Sequence, residues 1–429
     1  MKFTAAGDIL VQKRMTHEYE GFTAVRDFIM QGDARFFNLE TTLNYEGECF
    51  ASQFSGGTYV RCDPEMYYDM LKFGFNMTSA NNNHAFDFSF EGFAKTLDTL
   101  NESGIVHSGI GNNLDEASAP RYLETENGRV ALVAVNTSFN AAMMAGVQSR
   151  RVAGRPGING LRVTMKLVLP PDEFEHIKRI SERTMVNAPR EITRREGYYA
   201  ELPDGVCEIG EQQFLRGDDY GVLYEINKKD LARLEASIRE ARRSADYVMV
   251  SVHHHQITGY DKAAVPSFHK DLMHFCVDCG ADAVVGHGPH LLRPIEVYKS
   301  KPIFYSLGDF VIQLYDVAFA PEDFYEKYGM NSSSSVMDLL EKRSAGFTRG
   351  LMAQTEMLET IIPFWETDEN KDLKSLKLMP VKISCGEGKH LEGLPQPARD
   401  LGFMERLAEM SRPYGVEITM EDGVAVCRW

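Results

Sequence analysis

The chain has 429 residues, 43% of them apolar and 25% charged, with 35 glycines and 17 prolines; these proportions exclude disorder, collagen and coiled coil and allow a substantial core. Lys and Arg number 46 against 62 Asp and Glu, a net charge of −16, so the average surface repels phosphate backbones and anionic headgroups and disfavours a nucleic-acid or membrane partner. Seven scattered cysteines, an odd number, suit reduced thiols, and Met1–Leu10 carries neither a signal-peptide apolar run nor a span, so a cytoplasmic protein is expected.

Along the chain, short apolar runs alternate with amphipathic helical stretches, the pattern of an α/β protein. Strands are expected at Lys2–Ala6, Ala34–Leu39, Phe75–Ala80, Val130–Val135, Tyr247–Val252, Ala283–Val285 and Pro302–Leu307. Helices are expected at Glu91–Ser103, where Phe93, Leu97 and Leu100 keep helical spacing, at Asp230–Ser244, at Phe268–Cys279 before Gly280, and at Gly402–Met410. Two stretches interrupt the alternation, about 140–217 and about 316–350, the second polar and loop-like. Both are expected as insertions over one edge of a single domain spanning 1–429. The tail 351–429 is expected to complete the core, with two β-like runs between Glu359 and Ile383 around an acidic turn.

Polar residues able to bind metal fall at the carboxyl ends of five of these strands. They are Asp8 after FTAAG, Asn38 and Glu40 around RFFNLE, Asn83 and His84 after TSANN, His253 after VMVSV, and His287 after AVVG. Open α/β sheets bind ligands in the crevice beyond the carboxyl ends of their strands, so these distant residues are expected to converge. Carboxylate, amide oxygen and imidazole without thiolate suit Zn, Mn or Fe, and one or two divalent ions are expected. Two ions sharing a carboxylate would activate a water and clamp the attacking and leaving oxygens, which makes hydrolysis the default reaction class.

Strand alternation puts His253 and His255 on one face and His254 on the other. GHGPH at Gly286–His290 adds His290 three residues beyond His287, on a turn that glycine lets fold tightly. Asp309 in SLGDF ends a further strand, where it can join the site or turn the chain. Arg150, Arg151 and Arg155 form a local basic cluster in an acidic protein, suited to grip an anionic substrate. Cys276 and Cys279 form a CxxC late in a helix with no second pair, which reads as structural.

Taken in order, GDI at Gly7–Ile9, NLE at Asn38–Glu40, NNHAFD at Asn82–Asp87, the His253 segment, GHGPH and YSLGDF at Tyr305–Phe310 resemble the CapA family, the poly-γ-glutamate capsule biosynthesis proteins of the calcineurin-like metallophosphatase superfamily. The resemblance implies a four-layer α-β-β-α sandwich of metallophosphatase type with a two-metal site. By that pattern Glu40 bridges, Asp8 and His290 hold one metal, and Asn83, His253 and His287 hold the other. His84 stands as the acid or as a contact to the substrate oxyanion, and His255 as a reserve ligand or proton carrier. Asn38, Asp309, Arg151 and Arg155 are the candidate substrate contacts.

The sequence departs from that pattern at four places. Leu10 stands where the first motif's histidine would be, leaving the first metal short of a ligand. GHGPH replaces GHHPH, His253-His254-His255 replaces His-Trp-Gly, and SLGDF replaces SLGNF. The expected function is a metal-dependent hydrolase acting on a phosphoester or a γ-glutamyl or other amide bond of a small or polymeric anionic substrate. The alternative from another class is a non-catalytic accessory that binds poly-γ-glutamate during capsule polymer synthesis or export.

Overall fold

The computed structural model describes residues 1–429, the side chain of Met352 excepted. Its secondary structure is mixed α/β in several sheets. Two compact units are present, one formed by Met1–Gly160 with Ala232–Trp429 and the other by Leu161–Leu231.

The larger unit is built on a ten-stranded and a six-stranded sheet. In the first, Lys2–Leu10 is the hub: it runs parallel to Ala34–Leu39 and to Asp309–Ile312 and antiparallel to Glu359–Thr367. Met77–Ser79 and Val106–Ser108 extend the sheet beyond Ala34–Leu39. The two tail runs pair antiparallel as Glu359–Thr367 and Leu373–Ile383 and join the same sheet. In the second sheet Tyr247–His253 lies between Gly128–Asn136 and Ala283–His287, parallel to both.

Alternation along the strands decides what packs where. In Ala34–Leu39, Phe36 joins Phe3, Ala5 and Met77 in an apolar cluster with Leu132, Met249, Val285 and Phe304 of the six-stranded sheet. Phe3 stacks on Trp365 there with ring centroids 5.1 Å apart. Its neighbour Phe37 turns the other way, into a cluster with Phe22, Val25 and Ile29, with Tyr67 and Met70, and with Phe93, Leu97 and Leu100. Those residues are the buried stripes of the helices Phe22–Ile29, Pro64–Leu71 and Ser89–Ser103. Burying both faces of the strands explains their near-continuous apolar character.

Helices also form at Lys228–Ser244, Ser267–Cys279 and Gly402–Ser411, within a few residues of their expected bounds. The stretch 316–350 differs from the loop expected there. Ser335 caps the helix Val336–Arg343 in a reciprocal capping box with Asp338, a signal hidden in what reads as a serine run. Val336, Leu339 and Leu340 of that helix pack with Leu10, Tyr59 and Ile312.

The smaller unit has its own four-stranded sheet in the order Val206–Ile209, Gln212–Arg216, Val163–Leu169, Gly221–Ile226, and the helices Pro171–Thr184 and Ala188–Arg195. Its interior holds an ion pair between the buried Arg194 and Glu208. Among the described residues no helix is long and apolar enough to cross a membrane.

Candidate metal centre

Sheet register brings the polar residues together. Across the first sheet Asp8 pairs with Asn38 on one side and with Asp309 on the other. Across the second, His253 pairs with His287. Because the strands on each side of these pairs are parallel, their polar ends line up at one edge. Asp8 joins the two sheets: its Oδ2 accepts from Gly288 N at 2.9 Å and its Oδ1 lies 3.5 Å from His287 Nδ1. Asn38 Nδ2 donates to Asp8 Oδ1 at 2.7 Å.

Glu40 lies at the centre. His253 Nε2, His255 Nε2 and His290 Nε2 stand 3.6, 3.9 and 4.0 Å from its Oε1. The carboxylate is fully buried, and among the described residues neither of its oxygens has a hydrogen-bond partner. Asn83 Oδ1 lies 2.7 Å from His253 Nε2 and 3.1 Å from His255 Nε2. His253 Nδ1 and His287 Nδ1 are 2.8 Å apart. Three groups of side chains place one donor atom each within 4.8 Å of one another: Asp8, His253 and His287; Glu40, His253 and His255; and Asp8, Glu40, His290 and Asp309.

The donors fit a cation. Buried polar atoms are normally paired, yet both Glu40 oxygens and Asp309 Oδ2 are left over, and imidazole nitrogens converge on one another. Burial pushes Asp8 up to about 7, assisted by the charge of Asp309 and opposed by His290. Burial, then the charges of Asp8 and Asp309, raises Glu40 well above the usual carboxylate range. Burial also holds His253 and His255 far below the ordinary imidazole value and His287 at about 3, so they are neutral and able to ligate. For His290 burial opposes the charge, but Asp309 and Asp8 outweigh it. These carboxylates, imidazoles and amide could hold a metal ion.

Further residues orient the donors. Asp309 Oδ1 lies 2.7 Å from His290 Nδ1, which leaves Nε2 facing Glu40. His290 adopts φ 59°, a left-handed conformation that costs energy for a residue with a Cβ. His84 is buried with its Nδ1 2.6 Å from Asp87 Oδ2, while Asp87 accepts from Gly56 N and Val60 N. Ser251 Oγ lies 2.6 Å from His287 Nε2, and Ser138 Oγ accepts from His255 N.

Asp8, Asn38, Glu40, Asn83, His253, His255, His287, His290 and Asp309 therefore share one cluster, all of them buried except Asn83 and His255, which are partly exposed. His254 faces away, with its Nε2 3.0 Å from Tyr305 O, as strand alternation requires. Leu10 sits in the apolar cluster with Tyr59 and Ile312. Arg151 and Arg155 are exposed; Arg155 Nε donates to Met144 O, and among the described residues neither arginine shares a hydrogen bond or ion pair with the cluster. Cys276 and Cys279 are buried free thiols. Sequence reasoning overlooked Asp87, Ser251 and Ser138. Two had a signal: Asp87 follows His84 by three residues, and Ser251 shares the strand face of His253.

The family model described as bacterial capsule synthesis protein PGA_cap matches residues 2–314. An uncharacterized protein of Sinorhizobium fredii is 31% identical over 442 aligned residues, covering 99% of this chain and 92% of its own length. The capsule biosynthesis protein CapA of Bacillus anthracis is 23% identical, covering 72% of this chain and 59% of its own. A probable polyglutamine synthesis accessory protein of Mycobacterium tuberculosis is 25% identical, covering 65% of this chain and 55% of its own.

Proposed function

Because the chain belongs to the bacterial capsule synthesis protein family PGA_cap, we propose that it is a divalent-metal-dependent hydrolase of poly-γ-glutamate metabolism, cleaving a phosphoester or a γ-glutamyl or other amide bond in an anionic substrate. The observation that carries this reading is Glu40, a fully buried carboxylate with both oxygens unpaired among imidazoles. Glu40, Asp8, His290, Asn83, His253 and His287 would hold the ion or ions, with His255 as a reserve ligand. Asp309, held against His290 through Oδ1, would offer its unpartnered Oδ2 in place of the histidine that Leu10 replaces. Bound divalent ions would supply Lewis-acid activation of water and of the scissile group.

The chain's own residues then have distinct tasks. Asp87 takes up Nδ1 of His84, which leaves Nε2 as the atom that holds and moves a proton for the leaving group. Asn38 fixes the orientation of Asp8, and Ser251 that of His287. Arg151 and Arg155 meet distal negative charge on an extended substrate. The two large sheets and the helices on them are taken as the four-layer α-β-β-α arrangement of a metallophosphatase-type domain. Seven free cysteines support a reducing, cytoplasmic setting.

The test is elemental analysis of the purified protein beside Glu40→Ala and His287→Ala, followed by assay of the metal-loaded forms on phosphoesters and γ-glutamyl amides. Metal lost with either substitution, and hydrolysis restored on reloading the wild type, is the expected result. Wild-type protein that takes up no metal would overturn the reading. The Mycobacterium relative is a probable accessory protein, which favours a second reading in which the same site binds poly-γ-glutamate without cleaving it. Metal-loaded protein that retains the polymer and hydrolyses none of these substrates decides for that alternative.

A further inference from the structure

The four-stranded sheet of the smaller unit has two edges of different character. At one edge, Val206–Ile209, the carbonyl of Glu208 accepts from Ser181 Oγ at 3.1 Å and from Asn187 Nδ2, so side chains of the same unit cap it. At the other edge lies Gly221–Ile226, paired on one side with Val163–Leu169 and with no strand on its other side. Asn227 N donates to Arg162 O at 2.8 Å, which fixes the phase of the ladder. The backbone groups of Leu223 and Glu225 turn toward Val163–Leu169, and those of Val222 and Ile226 turn away from it. The pairing runs without a register shift and the strand holds no proline, so two of the devices that ordinarily blunt an edge are missing. Val222 is 55% exposed and Leu223 41%.

The flanks of this strand carry opposite charges. Asp218 and Asp219 precede it and Lys228 and Lys229 follow it; all four are exposed, and among the described residues none of them is in an ion pair. A segment acidic at one end and basic at the other complements a second copy of itself only when the two run antiparallel. A two-fold axis at Tyr224 matches Val222 of one copy with Ile226 of the other, the phase in which their outward backbone groups face each other. It also sets Asp219 of one copy opposite Lys229 of the other, with Asp218 and Lys228 beside them. Parallel pairing would set like charges together, and a slip of one residue would put the outward backbone groups out of phase.

We propose that Gly221–Ile226 is a homodimer interface, at which two copies of this chain pair their edge strands antiparallel and join their four-stranded sheets into one. The strand contributes six residues, a small contact by the measure of stable interfaces, so the dimer is weak and salt-sensitive. The proposal does not depend on the metal centre.

The experiment is sedimentation velocity of the full chain over a concentration series in the micromolar range. It compares the wild type, Val222→Pro, Asp218→Lys with Asp219→Lys, and that pair combined with Lys228→Asp and Lys229→Asp. Proline at 222 removes an N–H that faces the open edge, so the unit's own ladder stays intact, and circular dichroism checks the fold of each variant. The wild type dimerises reversibly, and less so at high salt. Val222→Pro and the double lysine variant each weaken dimerisation by about tenfold or more, and the complete charge exchange restores it to within about threefold of wild type. Wild-type protein that stays monomeric throughout the series, or a dimer that either Val222→Pro or the double lysine variant leaves unaltered, overturns the proposal.

Discussion

At the scale of single residues, the chemistry turns on groups whose ordinary partners are missing or replaced. His84 presents one free nitrogen because Asp87 occupies the other. Under the proposed role His84→Gln lowers kcat by roughly 10²- to 10⁴-fold, with metal content unchanged by elemental analysis. Asp87→Asn reverses the donor and acceptor roles at Nδ1 and lowers kcat by roughly 10- to 100-fold, with a shift in the acid limb of the pH profile. A drop of equal size in bound metal for either variant would move these residues from proton handling to ligand support. Ser251 is tested in the same way: Ser251→Ala removes the partner of His287 Nε2 and weakens metal binding by roughly 10-fold, read from a competition titration with a chelator.

At the scale of elements, close approach of backbones sets where the ligands stand. A Cβ on Gly7 would lie 1.8 Å from Gly308 O, which no relaxation of a side chain can relieve. The register of Lys2–Leu10 against both parallel neighbours shifts around Asp8, so the strand's irregularity aims the carboxylate while the glycine lets Ser306–Asp309 come near. Gly7→Ala therefore destabilises by about 1–3 kcal/mol or more, seen as a lowered denaturant midpoint, and weakens metal binding as well. The helix Val336–Arg343 offers a contrasting case. Ser335→Ala removes its cap and costs about 1 kcal/mol, and the fall in stability comes without loss of metal, since Leu339 and Leu340 pack among apolar side chains.

At the scale of the whole molecule, ligand binding and proton binding are both linked to folding. If the cluster holds Mn, Zn or Fe, free metal at a hundred times its Kd stabilises the fold by about 2.7 kcal/mol, and a chelator lowers the Tm measured by calorimetry; an unchanged Tm argues against a specific site. Acid acts through buried imidazoles remote from that site. Burial holds His107 down at about 4, and its Nε2 lies 3.0 Å from Asn101 Oδ1. The unfolded chain protonates this group below about 6.5 while the folded chain does not, so its contribution is complete above 6.5 and is lost as pH falls toward 4. Relative to the wild type, His107→Gln thus gains about 2 kcal/mol between pH 6.5 and 5, measured by urea unfolding at each pH.

The strands Ala34–Leu39, Tyr247–His253 and Ala283–His287 were legible because strands covered on both faces need continuous apolar residues. Polar residues at their carboxyl ends stood out against that background, and Asp8, Glu40, His253 and His287 are close in space because parallel register lines up those ends. The opposite facing of His254 followed from two-residue periodicity alone. Other features had no local signal. The helix at 336–343 was masked by a polar composition, and the separate sheet of Leu161–Leu231 by weak, half-exposed strands. The amino-acid order by itself determined the α/β class, the covered strands and the donor types. Which oxygens stay unpaired and which nitrogen of His290 is free were decided only by tertiary packing, because each depends on atoms contributed by separate segments of the chain.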